Sequence, residues 1–500
     1  MNGTASTAPS TVAVIGAGVG GLALAYYLKQ AGIDDFLLFE KADALGGVWR
    51  DNTYPGAACD IPSHLYSYSF EPHYPWAHRY GKQAEILAYL NHCADKYALR
   101  PHIRLGHEVA GADFDEPRGV WTLRFADGRR HEARLLISSV GQLHRPAIPA
   151  IPGQQAFRGK VFHSARWDHG YDLRGKTVAV IGTGASAVQF VPEIARQVAQ
   201  LYLYQRSPGW VAPKVEKPFS RLERWVLDHV PLLQDIDRGR VFLLTEFLGY
   251  SYRGHKLAEQ LPTWLAKTQL RWQVRDPALR RKLLPDYPIG CKRILLSTAW
   301  LPTLCRANVE LVTDAISRIE ADGVRSADGQ LRKADALIYG TGFTATEFLA
   351  PMQIRGRHNR ELSATWRAGA QAYLGMAVAG FPNFFVMYGP NTNLGSGSII
   401  FMLERQARYI TRLTRTLIDR RLQWLEVSES AQHGFVAEMR RRSASSTYAG
   451  DCQSWYKNDA GINTNNWVGS MREYDHRTRA PALADYRFVE APSAGLPQAA

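Results

Sequence analysis

Two glycine-rich turns carry the most legible chemistry of the chain: Gly16-Ala17-Gly18-Val19-Gly20-Gly21 and Gly182-Thr183-Gly184-Ala185-Ser186-Ala187. Each follows a short apolar, β-branched run and opens a helical pattern, the order of a βαβ dinucleotide fingerprint. In the first, Gly16 permits the tight turn, Gly18 lets the backbone approach a pyrophosphate, and Gly21 lets helix and strand pack closely. Gly182, Gly184 and Ala187 take the same places in the second, where alanine is an allowed variant. A helix start offers free N–H groups and a positive dipole end to phosphates. The strands that follow end differently. Phe36–Phe39 ends at Glu40, which suits a ribose diol and repels a 2′-phosphate, so the first site is expected to take FAD or NAD. Leu201–Tyr204 ends at Gln205-Arg206-Ser207, where a cation pairs with a 2′-phosphate, so the second is expected to prefer NADP.

Three more stretches hold candidate site residues. Gly46-Gly47-Val48-Trp49, directly after the ribose acid, is what a chain needs to pass close to an extended dinucleotide, which makes Gly47 and Trp49 candidates. Beyond the Tyr54-Pro55-Gly56 turn, Asp60 is the only acid of this loop; capping a local turn is the competing role. Lys292 and Arg293 are adjacent, so on extended backbone they point opposite ways, one toward each nucleotide, unless both are solvated. Gly389-Pro390-Asn391-Thr392-Asn393 opens a helix and provides donors for an electron-rich carbonyl, with Asn391 the candidate.

The elements that must position these residues are α/β. Apolar runs predict strands at Thr11–Ile15, Phe36–Phe39, Val109–Phe114, Val120–Phe125, Arg134–Ile137, Thr177–Ile181, Leu201–Tyr204, Val309–Val312, Ala334–Ile338, Phe384–Tyr388 and Leu422–Val427. A buried strand pair is expected within Ala372–Tyr388. Helices are expected at Leu22–Gln30, Gln83–Tyr97, Ser186–Gln197, Ser398–Leu417 and Ala431–Arg442. Pro218–Pro288 has no strand signal and reads as a helical insertion. Its Leu222, Trp225, Val226, Val241, Leu244 and Leu248 are expected in a core. The prolines at 146, 149 and 152 make a stiff linker. The division that follows is two Rossmann-like domains with a helical insertion. Residues 10–150 and 341–485 form the FAD-binding domain, 151–212 and 291–340 the NADP-binding domain, and 213–290 the insertion. Residues 1–10 and the last dozen are expected to lack regular structure.

Five hundred residues allow two to four domains, and a net charge of +14 suits a phosphorylated dinucleotide or a plain basic surface. Lys and Arg are spread rather than gathered, which argues against nucleic acid. Cys59, Cys93, Cys291, Cys305 and Cys452 are widely spaced, which argues against disulfides, zinc and a redox dithiol. No metal is implied. With no charged and apolar leader and no long apolar span, the chain reads as cytoplasmic, with no membrane partner.

One stretch between the two fingerprints ties these features together. Phe157-x-Gly159-x-x-x-His163-x-x-x-Trp167-Asp168 matches, at every fixed position, the signature of type I Baeyer–Villiger monooxygenases. With Gly46-Gly47-x-Trp49, Tyr54-Pro-Gly-Ala and Lys292-Arg293, the chain resembles that family over roughly residues 10–475. The resemblance implies FAD and NADPH as cofactors, a small-molecule ketone and O2 as substrates, and a monomer or small homo-oligomer. It implies oxygen insertion beside the carbonyl through a flavin peroxide, giving an ester or lactone. It also implies Arg293 as the catalytic cation, Asp60 as its partner, and Arg206, Ser207 and Lys292 around the 2′-phosphate. Either Trp455 or Trp467 would close over the nicotinamide. The signature itself is expected to couple the two domains, with His163 as a hydrogen-bonding strut. An N- or S-oxygenating flavin monooxygenase is the alternative, which Trp167 weighs against because those enzymes carry Tyr or Phe there. A disulfide oxidoreductase lacks its close Cys pair, and a non-catalytic nucleotide-binding protein remains the other class.

Overall fold

The computed structural model describes residues 8–450, 452 and 454–491. It contains two parallel-rich sheets, each built from chain segments on both sides of the helical insertion. The first sheet has the spatial order Gln353–Arg355, Val109–Asp115, Val120–Phe125, Arg130–Ser138, Ser10–Ile15, Phe36–Phe39, Ile103–Arg104. Phe384–Val386 also pairs with Arg130–Ser138, alongside its C-terminal half. The second has the order Val309–Val312, Gln200–Tyr204, Thr177–Ile181, Ala336–Tyr339, Lys160–His163. Both are Rossmann-like, as the two fingerprints require.

Register explains where the glycine turns sit. Ile15 pairs with Ser138 in parallel, so the first turn leaves the sheet beside Ser139. Ile181 pairs with Tyr339, so the second turn leaves beside Gly340. The backbones then approach so closely that side chains cannot fit. A Cβ on Gly16 (φ +104°) would lie 2.7 Å from the Ser139 carbonyl oxygen, and one on Gly182 (φ +107°) 2.4 Å from that of Gly340. The first helix, Val19–Gln30, buries Leu22, Leu24 and Leu28 completely, in a core shared with the sheet and the helix Ile399–Asp419. Each such leucine contributes about 1.5–3 kcal/mol.

The insertion is helical as expected: Arg221–His229, Pro231–Tyr252, Lys256–Gln273 and Pro277–Leu283. Asp237 ties it to the first domain, 2.8 Å from His64 Nδ1 and 3.1 Å from Arg79 Nη2. Burial pushes the Asp237 carboxyl up, but hydrogen bonds from His64 and Arg240 and the charge of Arg79 hold it below its ordinary range. The expectation that the Leu and Trp positions are core fails at several of them. Val241 is buried, but Leu222, Trp225 and Leu244 are exposed, because the inner face docks through polar contacts instead. Ser396 donates to the Thr245 carbonyl at 2.9 Å and the Met471 N–H to Glu246 Oε1 at 2.7 Å.

Two other expectations are corrected. Ala372–Tyr388 holds one strand, Phe384–Val386, preceded by a bridge between Tyr373 and Ala377; its glycines and Asn383 turn the chain too often for a second strand. The C-terminal region is ordered to Glu490, since Tyr486–Glu490 pairs antiparallel with Leu422–Val427. At the N-terminus the first strand starts at Ser10; the expectation for 1–7 and for 492–500 lies outside the described residues. Among the described residues no helix is long and apolar enough to cross a membrane, and no cluster of three His, Cys, Asp or Glu could hold a metal.

Candidate active site

One cleft of about 1440 Å³ opens at the C-terminal ends of both sheets, where Rossmann-type sheets bind ligands. It exceeds the few hundred to one thousand Å³ of an ordinary small-molecule pocket. Gly16, Gly18, Glu40, Gly47, Trp49 and Asp60 line it from the first domain. Gly182, Gly184, Arg206, Ser207, Lys292 and Arg293 line it from the second sheet and the segment after the insertion. Gly21 and Ala187 are buried off the wall, where their small size serves packing: a Cβ on Gly21 would lie 2.1 Å from the Gly16 carbonyl oxygen.

The two fingerprint helices begin in the same way, at a glycine with no capping side chain. Ser220, Ser398, Ser428 and Ser470 cap other helices with a side-chain oxygen. Gly18 and Gly184, the caps of Val19–Gln30 and Ala185–Ile194, have none. Their first-turn N–H groups are left for whatever enters the cleft, as anion binding at a helix start requires. The turn at Gly47 lies against Gly18, where a Cβ on Gly47 would be 3.2 Å from the Gly18 Cα. The two glycine turns together make a wall of bare backbone. Glu40 is buried beneath it, accepting from the Ala17 N–H at 3.0 Å and from Arg50 Nη1 at 3.1 Å.

At the second helix the cleft carries a cationic cluster. Lys292 Nζ donates to Ser207 Oγ at 2.7 Å and stands 4.6 Å from the centre of the Tyr287 ring. Burial and the facing charge of Arg206 push the Lys292 ammonium below its ordinary pKa. Among the described residues neither Arg206 nor Lys292 has an acidic partner within 4.0 Å. Two cations and a hydroxyl held together without an anion suit a phosphate.

Arg293 turns the other way, because the chain bends at Cys291 and Lys292 before the strand that begins at Leu295. Its Nη2 is 3.6 Å from Asp60 Oδ2, an ion pair too long to be a hydrogen bond. Burial works against the Arg293 charge, but Asp60 above all, with Tyr456, Tyr252 and Tyr388, raises its pKa. The 30% exposure of this side chain is to the cleft rather than to open solvent, since the surrounding chain encloses it. Trp49, Tyr66, Tyr388 and Trp455 line the same region.

Lys214 completes this cluster, and the sequence reading missed it. Its ammonium is 3.7 Å from Asp60 Oδ1 and 2.6 Å from Glu216 Oε1, with 1% of the side chain exposed. Asp60 is too far for a hydrogen bond, and the angle to Glu216 is too poor for one. It follows the strand Val211–Ala212, which pairs in parallel with Leu295–Leu296 just after Arg293. No local motif marks Lys214; only that long-range pairing could have found it.

Other placements differ from expectation. Asn391 is not on the cleft wall: its Nδ2 donates to the carbonyls of Asn463 and Asn466, both at 3.2 Å. The positive φ at Asn391 turns the loop so that Asn393 and Leu394 reach the cleft instead. Of the two tryptophans, Trp455 lines the cleft, whereas Trp467 is buried with its Nε1 donating to the Ser470 carbonyl at 3.0 Å. The expectation of no disulfide is overturned at Cys291–Cys452, which joins the Arg293 segment to the Trp455 segment. Their sequence separation of 161 gave no hint of it, because the fold returns the chain there.

The signature stretch does not line the cleft. His163 ends an edge strand of the second sheet, and its Nδ1 accepts from the Ala165 N–H at 3.1 Å. Trp167 packs on Phe190 at 5.2 Å between ring centres. One residue earlier, Gln189 donates from Nε2 to the Ala58 carbonyl at 2.9 Å and accepts from the Tyr54 hydroxyl at 3.0 Å. A short packed path thus runs from Trp167 through the second fingerprint helix to the loop that carries Asp60.

Residues 9–221 match the family model described as flavin-binding monooxygenase-like. A Baeyer–Villiger monooxygenase of Pseudomonas aeruginosa is 42% identical over 489 residues, covering 97% of this chain and 92% of that protein. One of Streptomyces coelicolor is 42% identical over 483 residues, covering 96% and 92%. Among solved structures, oxidized steroid monooxygenase bound to NADP superposes with a TM-score of 0.86 at 30% identity, covering 97% of this chain and 100% of that one. OTEMO in complex with FAD and NADP does so with a TM-score of 0.86 at 27% identity, covering 96% and 99%.

Proposed function

The chain belongs to the Baeyer–Villiger monooxygenase family, and on that premise we propose how its cleft divides the work. It is an enzyme dependent on FAD and NADPH. Residues 10–150 and 341–485 bind FAD, residues 151–212 and 291–340 bind NADPH, and 213–290 are the insertion. The groups fit what is present: two uncapped helix starts, a wall of bare glycine backbone, and a cleft large enough for two dinucleotides. Gly16, Gly18, Gly47 and Glu40 hold the FAD pyrophosphate and ribose. Gly182 and Gly184 hold the second pyrophosphate, and Arg206, Ser207 and Lys292 its 2′-phosphate. Bound FAD, reduced by NADPH, supplies the activated oxygen.

The substrate is a ketone, and the product an ester or lactone. The observation that carries this reading is the Arg293–Asp60 pair, set in the cleft between the two glycine turns. Oxygen addition to a carbonyl puts negative charge on its oxygen, and a fixed cation in a water-poor site stabilises that charge without reorganising. Arginine stays charged on burial, where lysine would lose its proton more readily. Asp60, balanced between Arg293 and Lys214, fixes the direction of the guanidinium. Trp49, Tyr66, Tyr388 and Trp455 keep water from the reacting carbonyl. The test is to purify the protein, measure bound flavin, and follow NADPH consumption with product analysis against cyclic, aryl and linear ketones, a sulfide and an amine. Turnover of the sulfide or amine with no ester from any ketone would overturn the ketone assignment.

A further inference from the structure

The helical insertion wears its apolar stripe on the outside. Fifteen of the twenty exposed large apolar residues among the described residues fall within residues 222–272. They are not scattered. On Pro231–Tyr252, Ile236, Leu243, Phe247 and Tyr250 repeat at helical spacing, and on Lys256–Gln273 so do Leu257, Leu261, Trp264 and Trp272. An ordinary amphipathic helix turns such a stripe toward its own core. Here the buried positions of Pro231–Tyr252 include Gln234, Thr245 and Ser251, and Asp237 and Glu246 dock that helix to the rest of the chain. Among the described residues the outer stripe therefore has no partner.

Its size calls for one. Five aromatic rings, Trp225, Phe247, Tyr250, Trp264 and Trp272, are 45–80% exposed and alone leave on the order of 600 Å² uncovered. That already matches the largest apolar patch of a typical monomer, roughly 300–600 Å². With the leucines it approaches the ~800 Å² that each partner of a stable complex buries.

We propose that this face docks a second copy of the chain, the helix Pro231–Tyr252 of one protomer lying against Lys256–Gln273 of its partner. A two-fold arrangement repeats that contact twice with the same surface. The area fits it: two such faces meeting would bury close to the ~1,600 Å² of a standard stable interface. An anionic membrane fits less well. Residues 221–273 hold eight Lys and Arg against six Asp and Glu, so the +14 of the chain is not concentrated here.

Sedimentation velocity of the FAD-loaded full chain tests this, at concentrations up to ~100 µM. Twice the chain mass is expected for the wild type. Phe247→Glu with Leu261→Glu, both outward-facing, should return it to one chain mass with unchanged flavin content and circular dichroism. The milder Phe247→Ser with Leu261→Ser should weaken the dimer without abolishing it. A wild type that stays at one chain mass throughout, or a glutamate variant that stays dimeric, overturns the proposal. So does a monomer that co-sediments with phosphatidylcholine or phosphatidylglycerol vesicles, which would assign the face to a lipid surface.

Discussion

Replacing Arg293 with alanine separates catalysis from everything upstream of it. The charge removed is the one proposed to stabilise the reacting carbonyl, and loss of one preorganised oxyanion partner costs about 2.7–4 kcal/mol, a factor of roughly 10²–10³ in rate. Coulomb's law gives the same scale, about 4 kcal/mol for unit charges 4 Å apart at an effective dielectric constant of 20. The fold should survive. Asp60 keeps Lys214 at 3.7 Å, so no buried carboxylate is left without a cation. The Arg206, Ser207 and Lys292 cluster faces away and stays intact. Anaerobic stopped-flow should therefore show flavin reduction by NADPH within a few-fold of wild type. In air, NADPH consumption should continue with hydrogen peroxide accumulating in place of ester, read by gas chromatography and a peroxide assay. Ester formation above about a tenth of the wild-type rate would refute the role given to Arg293. A fall in flavin reduction by the same factor as ester formation would refute the division of labour between the two clusters.

Three further outcomes follow from the same geometry. Arg206→Ala should raise KM for NADPH by tenfold or more, about 1.4 kcal/mol, and leave KM for NADH nearly unchanged; equal effects in steady-state kinetics would sink the 2′-phosphate assignment. Asp60→Ala leaves Arg293 without a carboxylate while Lys214 keeps Glu216, so thermal unfolding should report a loss near the lower end of the ~3–5 kcal/mol for a broken buried pair; an unchanged melting temperature would mean that the pair holds nothing. His144 lines the cleft, and burial first, then the charges of Lys41 and Arg145, lower its pKa from 6.5 to about 4. Between those values the unfolded chain binds the extra proton. This contribution is thus complete above pH 6.5 and is lost as pH falls toward 4, by up to ~3 kcal/mol. His144→Gln at fixed FAD should flatten that part of the melting profile.

Much of the fold was legible because its signals are local. Phe36–Phe39, Val120–Phe125, Thr177–Ile181, Val309–Val312 and Leu422–Val427 begin and end where apolar runs begin and end. The short strands Ile316–Glu320, Gly323–Ser326 and Leu331–Lys333 were not legible, since they form a hairpin sheet of mixed polar residues with no alternating pattern. The insertion misled for a physical reason. Helical spacing of Leu and Trp reports that one side of a helix is apolar, and says nothing about which side the rest of the molecule covers. At Asn391 the loop composition was right and the direction wrong, because a single left-handed residue decides which carbonyls and amides meet the cleft.

By itself the sequence determined the two glycine turns and the contrast of Glu40 with Arg206. Each depends on a few neighbouring residues and on steric rules that act over a few bonds. Only the tertiary structure decided that Asp60 stands between Arg293 and Lys214, that Trp455 rather than Trp467 reaches the cleft, and that Cys291 joins Cys452. These pairs are brought together by parallel strand pairing and by the return of the chain to its first sheet. Electrostatic and packing energies act at a few ångströms, however far apart the residues lie in the chain, so the sequence could supply the charges but not their distances.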